Sequence, residues 1–207
     1  MGLNDADLRP SHRLVSNASS TVHCLAPVVH ILEEAFGIER AFFTTVHSYT
    51  AQHRLADVPA RDMRLGRAAA ENIIPQESRS AAMVTDLIPR LRERLSGAAI
   101  SVPVQNGSLV DLVCWHRNPV TTTSVNEALR TAAESDRWKR YLSYESEPIV
   151  SRDVALSGFS GVFDSLATMS ISGTVSKTVS WFDSGMGYTR RAVDLLERFA
   201  ALDAAAA

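Results

Sequence analysis

Apolar positions in the first quarter of the chain change period partway along. From Ser20 onward, Val22, Leu25, Val28, Val29, Leu32, Ala35 and Phe36 recur at the three- and four-residue spacing of a helix face. Gly37 follows at the point where a helix commonly ends in a left-handed residue. Pro27 lies inside this helix and lacks an N–H, which predicts a kink or an unpaired carbonyl. Ser19 or Ser20 suits the N-cap, because its hydroxyl can accept a bond from a free backbone N–H. Ahead of the helix, Arg13-Leu14-Val15 is β-rich and Met1 to Arg13 reads as a polar loop containing Pro10. Beyond it, Ala41 to His47 reads as a buried strand.

The rest of the chain alternates between these periods. Ser48 to Gln76 carries Pro59, Gly66, Pro75 and several arginines, a composition that predicts a long functional or interfacial loop. Ala81 to Leu95 is helical in pattern but interrupted by Pro89. Ala98 to Val104 and Ser108 to Trp115 read as strands around a Gln105-Asn106-Gly107 turn. Ser124 to Ala133 predicts a helix with Glu127 completing a capping box. Gly161 to Ala167, Met169 to Ser172 and Thr174 to Trp181 alternate as strands, and Tyr188 to Leu202 closes as an amphipathic helix. Long strands with few helices between them predict an α+β fold in a single unit of residues 1–207.

Composition narrows the function classes. The 207 residues are 45% hydrophobic and 21% charged with a net charge of −2, which is ordinary for a globular protein and gives no broad pull toward nucleic acid or an anionic membrane. The N-terminus has no signal pattern and no apolar run spans a bilayer, so a cytoplasmic location is expected. Cys24 and Cys114 form no disulfide framework and no metal spacing, and both read as core thiols. His12, His30, His53 and His116 form no metal constellation in the sequence. No cofactor is expected.

The candidate chemistry lies at Ser16-Asn17-Ala18-Ser19-Ser20-Thr21-Val22-His23-Cys24, where a helix N-terminus favours developing negative charge. This stretch resembles the active-site segment of glyceraldehyde-3-phosphate dehydrogenases, Ser-Asn-Ala-Ser-Cys-Thr-Thr-Asn-Cys. Other motifs follow in the family's order: Thr44-Thr45-Val46-His47-Ser48-Tyr49-Thr50, Gly66 to Pro75, Val102-Pro103, Val110-Asp111-Leu112, Ser180-Trp181-Phe182-Asp183 and Gly187-Tyr188. The resemblance implies the family's catalytic-domain fold, a mixed and mainly antiparallel sheet packed against helices, standing alone without its dinucleotide-binding half, since no Gly-x-Gly-x-x-Gly stretch occurs.

The resemblance also implies roles by position. His47 matches the catalytic histidine and Thr50 a phosphate contact. Ser20 stands where the family has its nucleophilic cysteine, Ser101 where it has a phosphate-binding arginine, Ser78-Arg79 where it has Thr-Gly of a phosphate site, and Ser184 where an asparagine holds the nicotinamide amide. A serine hydroxyl is far less acidic than a thiol and needs a base within reach. The expected site is therefore His47 and Ser20 as catalytic residues, with Ser19, Thr21, Thr50, Ser78 and Arg79 binding substrate. Ser20 stands as either a nucleophile or an N-cap, His47 as a general acid–base or a core histidine, and His23 as a polar residue on the helix flank. Arg54, Arg64, Arg67 and Arg79 read as a solvated or interfacial loop, or as an anion site.

The function expected on these grounds is non-redox acid–base chemistry on a small carbonyl- or ester-like substrate. Isomerisation, cyclisation, dehydration or hydrolysis would fit, in a specialised biosynthetic setting. The alternatives are a non-catalytic interaction protein and a dehydrogenase subunit with a separate Rossmann partner. A homo-oligomer through the sheet face and the Ser48–Gln76 loop is expected, with neither nucleic acid nor membrane as partner.

Overall fold

The computed structural model describes the backbone of residues 1–206 and the side chains of residues 1–204; Ala207, the end of the expected unit, lies outside the described residues. A mixed seven-stranded sheet is built from β1 (Ile38–Ser48), β2 (Ile74–Gln76), β3 (Leu95–Val102), β4 (Ser108–His116), β5 (Leu142–Glu145), β6 (Gly161–Ile171) and β7 (Val175–Phe182), in the order β2-β3-β1-β4-β7-β6-β5. The pairs β1–β3 and β5–β6 are parallel and the other four antiparallel. Helices α1 (Ser20–Phe36), α2 (Ser80–Leu87), α3 (Thr122–Glu134) and α4 (Met186–Ala206) complete the α+β architecture. None of the described helices is long and apolar enough to cross a membrane.

α1 is the pillar of the core. Eleven of its seventeen residues are buried, among them Val22, Leu25, Val28, Val29 and Leu32, and each large apolar side chain so enclosed stabilises the fold by about 1.5–3 kcal/mol. Ser19 caps the helix by accepting the Val22 N–H at 3.3 Å. Gly37 ends it at φ +65°. The helix runs unbroken through Pro27, whose ring is buried among these side chains. Glu33, also buried, accepts the Ile38 N–H and faces Arg90 at 3.3 Å, so the turn from α1 into β1 is held by a carboxylate.

Register shows why only one sheet face belongs to this core. Gly97, Phe43, Leu112 and Thr178 lie in one row beneath the helices. Gly97 is required there, because a Cβ would meet the Phe43 ring at 2.4 Å. The opposite face carries the row Ser96, Phe42, Val113, Lys177 and Met169 and the row Trp115, Val175 and Ile171. Phe42, Trp115, Met169 and Ile171 are all exposed there.

Several sequence expectations are corrected. Arg13-Leu14-Val15 joins no strand, and Leu14 is 94% exposed. The Gln105-Asn106-Gly107 turn does not close a hairpin, because β1 lies between β3 and β4 and takes hydrogen bonds from both. The last three residues of the long loop form β2 against β3. The helical pattern from Ala81 stops at Leu87, Pro89 starts a 3-10 turn to Leu91, and Leu95 opens β3. The α3 capping box uses Thr121 and Ser124 rather than Ser124 and Glu127, which starts the helix a turn earlier. β6 is one strand with a register shift between Asp164 and Met169, and the short β5 has no counterpart in the sequence pattern.

Candidate active site

The site forms where the C-terminal end of β1 meets the N-terminus of α1. β1 directs His47 toward the helix layer, and the imidazole packs edge-on against Phe182 at 5.9 Å. Its Nε2 lies 3.4 Å from Oγ1 of Thr21, which is 4% exposed. This is long for a hydrogen bond, as contacts in unliganded sites often are. Burial, and then the charge of nearby His53, pull the His47 pKa below its ordinary value, so the ring is neutral at pH 7 and able to accept a proton.

The helix end supplies the complementary electrostatics. Ser19 caps through both its side chain and its carbonyl, to Val22 and His23. The N–H groups of Ser20 and Thr21 have no protein partner among the described residues, and they carry the positive end of the α1 dipole. Ala18 precedes the cap at φ +51°, a left-handed conformation that costs a non-glycine residue about 1 kcal/mol. Its N–H is held by Ser16 Oγ at 3.1 Å. The half-buried Ser20 hydroxyl makes no hydrogen bond among the described residues, so the residue drawn to His47 is Thr21.

A second polar cluster adjoins His47. Ser101 is its Cα partner on β3 and is 2% exposed. Ser101 Oγ lies 3.1 Å from Nε2 of His53 and 2.7 Å from the Gln76 side-chain amide, which is also 2.7 Å from His53. The Thr50 N–H reaches Nδ1 of His53 at 3.1 Å. With Nδ1 accepting this bond, Nε2 is the ring nitrogen left to donate toward Ser101 Oγ. Thr50 thus enters the site through His53, its hydroxyl 3.2 Å from the same Nδ1. Sequence reasoning did not place His53 or Gln76 in the site. A turn in which the His53 N–H returns to the Thr50 carbonyl, three residues back, sets the ring in place.

The other expected residues are more dispersed. Ser78 accepts the Ser80 N–H at 3.2 Å ahead of α2, and Arg79 is exposed without an ion pair among the described residues. Arg54 and Arg64 are exposed, and exposed Arg67 pairs with Asp57 at 3.0 Å. Ser184 meets Ser108, hydroxyl to hydroxyl, at 3.2 Å. His23 stacks on Tyr188 with ring centroids 5.7 Å apart, and burial, reinforced by the N-terminal amine, pushes its pKa down to about 4. Cys24 and Cys114 are fully buried and burial pushes both thiols up, so neither serves as a nucleophile.

Asp183, the last residue of the Ser180–Asp183 motif, holds the turn from β7 into α4 beside the site residue Ser184. Its carboxylate accepts from the N–H groups of Gly185 and Met186 at the start of α4, from Leu156 N–H and from the Asn106 side chain. Burial opposes the charge, but these bonds outweigh it and hold the carboxyl below the usual range.

Comparison with known proteins agrees with this geometry. The family model described as glyceraldehyde 3-phosphate dehydrogenase, C-terminal domain, matches residues 19–184. The chain is 47% identical over 196 residues to the glyceraldehyde-3-phosphate dehydrogenase of Geobacillus stearothermophilus, covering 94% of this chain and 58% of that protein. It is 45% identical over 196 residues to glyceraldehyde-3-phosphate dehydrogenase 1 of Bacillus subtilis, with the same coverage. Against glyceraldehyde-3-phosphate dehydrogenase 2 of Streptomyces avermitilis it is 42% identical over 196 residues. The chain therefore spans a little over half the length of the curated relatives it matches.

Proposed function

This chain belongs to the glyceraldehyde-3-phosphate dehydrogenase family through that family's C-terminal domain, and from that premise we propose a non-redox acid–base enzyme acting on a small carbonyl- or ester-like substrate. The observation that carries the reading is neutral His47, 3.4 Å from Thr21, beside the unpartnered N–H groups at the start of α1, with Ser20 where the resemblance implies cysteine. In the tautomer protonated at Nδ1, His47 Nε2 holds the lone pair a general base needs and receives the Thr21 hydroxyl. The Ser20 and Thr21 N–H groups stabilise the negative charge that develops on the substrate oxygen as the proton leaves. The Ser20 hydroxyl adds a hydrogen bond, or becomes a nucleophile when His47 takes its proton.

The residues at hand do not fit a nicotinamide. The short Ser184 side chain is engaged by Ser108, and Ser20 offers no thiolate to add to an aldehyde. The test is incubation of the purified chain with a metabolite extract in the absence of added nucleotide. The products are expected to sum to the mass of the substrate, or to that mass plus or minus one water. A product differing by two hydrogens contradicts the reading.

A second reading, an interaction protein or homo-oligomer, is favoured by the exposed sheet face of Phe42, Trp115, Met169 and Ile171. A contiguous apolar face of this kind usually meets another protein surface. Sedimentation velocity tests it: a Trp115→Glu, Met169→Glu double variant is expected to sediment as a smaller species than the parent, and equal sedimentation removes this face from assembly.

A further inference from the structure

Away from His47, the first turns of α4 and the turn leading from α3 to β5 enclose a cleft of about 380 Å³. Its wall carries Lys139, Arg140, Arg190 and Arg191 against Asp194 and Glu197, an excess of cations in a chain of net charge −2. Arg191 is only 3% exposed. Its Nε donates to Asp194 at 2.7 Å, its Nη1 to Ser160 Oγ at 2.9 Å, and its guanidinium lies over the Tyr141 ring at 4.8 Å.

Asp194 is already shared. Its second oxygen takes Arg140 Nη2 at 3.3 Å, so one carboxylate serves two guanidiniums and the trio keeps a positive charge. Lys139 is paired elsewhere, with Asp136 at 2.6 Å. Arg190 extends over Gly158, makes no ion pair among the described residues, and adds a second positive charge. The Gly158 N–H also has no protein partner among the described residues. Glu197, two helical turns beyond Arg190, stands at the other end of the cleft. Beside the cations, Phe159 and Val193 are 36% and 41% exposed and give the wall an apolar side.

We infer that this cleft binds an organic phosphate, with Arg140 and Arg190 holding the phosphoryl oxygens and Phe159 and Val193 packing against its apolar body. Guanidinium groups match phosphate oxygens in charge and in fork geometry. A bound phosphate also answers the positive charge that Asp194 and Glu197 together leave uncompensated among Arg140, Arg190 and Arg191. The site shares no residue with the His47 pocket, so it stands independently of the proposed reaction.

The test is calorimetric titration of the full chain with phenyl phosphate and, separately, with inorganic phosphate. Phenyl phosphate is expected to bind more tightly. Arg140→Gln and Arg190→Gln are each expected to weaken it about tenfold, Glu197→Gln to tighten it, and Phe159→Ala to remove its advantage over inorganic phosphate. Arg140 and Arg190 are exposed, so both variants are expected to keep the parent's circular dichroism. Absence of phenyl phosphate binding at millimolar concentration, or unchanged binding in both arginine variants, overturns the proposal.

Discussion

Ser101 and His47 face each other as Cα partners on the parallel pair β1–β3, and the Ser101 hydroxyl lies 3.1 Å from the second imidazole, His53. The proposed base therefore stands beside a group that can itself become a cation. A charge on His53 disfavours a charge on His47. The variant His53→Gln is expected to raise the His47 pKa toward the ordinary value near 6.5, followed by NMR titration of the ring resonances. A fall, or no change, contradicts the coupling.

Acid should destabilise this fold through His23. Its folded pKa is about 4 against an ordinary 6.5, so between those values the unfolded chain binds a proton that the native one does not. The stability is complete above pH 6.5 and is lost as pH falls toward 4, by up to about 3 kcal/mol. Urea unfolding at pH 7 and pH 4.5 is expected to show a smaller difference for His23→Gln than for the parent. An equal difference places the acid sensitivity in other groups.

Ala18 holds a left-handed backbone just before the cap of α1. Ala18→Gly is expected to raise the unfolding free energy by roughly 0.5–1 kcal/mol, because relief of the steric cost exceeds the extra freedom of the unfolded glycine. A destabilised variant would argue that the methyl group packs to greater effect than the backbone strain costs.

Glu33 is the buried acceptor that joins α1 to β1. Glu33→Ala leaves the Ile38 N–H without its partner and removes the counter-charge of Arg90. Loss of about 1–3 kcal/mol is expected in chemical unfolding, set by the unpaired Ile38 N–H because the Arg90 side chain is half exposed. A loss under 1 kcal/mol would mean that water replaces the carboxylate without strain.

Much of this architecture was legible in the residues. The period of Val22, Leu25, Val28 and Leu32, with Gly37 after it, marks α1 to within a residue of its ends, because local caps and burial agree there. The Ala41–His47 run identifies β1 for the same reason. Neither β3–β4 separation nor β5 could be read, since strand order depends on β1 entering between two segments that are close in sequence. At the site, His47 and Thr21 were within reach of motif reasoning. His53 and Gln76 were not, because they come to Ser101 only when the long loop folds back and β2 pairs with β3. Leu14 shows the opposite limit: a β-rich triplet stays unpaired where no neighbouring strand is available to it.

The central claim rests on His47, and one comparison tests it most directly. A metabolite consumed by the parent chain without added nucleotide is measured again with His47→Ala and with Thr21→Val. General acid–base catalysis contributes roughly a hundred- to ten-thousandfold, so His47→Ala is expected to lose at least about a hundredfold in turnover. Thr21→Val, which removes the hydroxyl beside Nε2 but leaves the base, is expected to lose less. Turnover by His47→Ala equal to that of the parent would contradict the account.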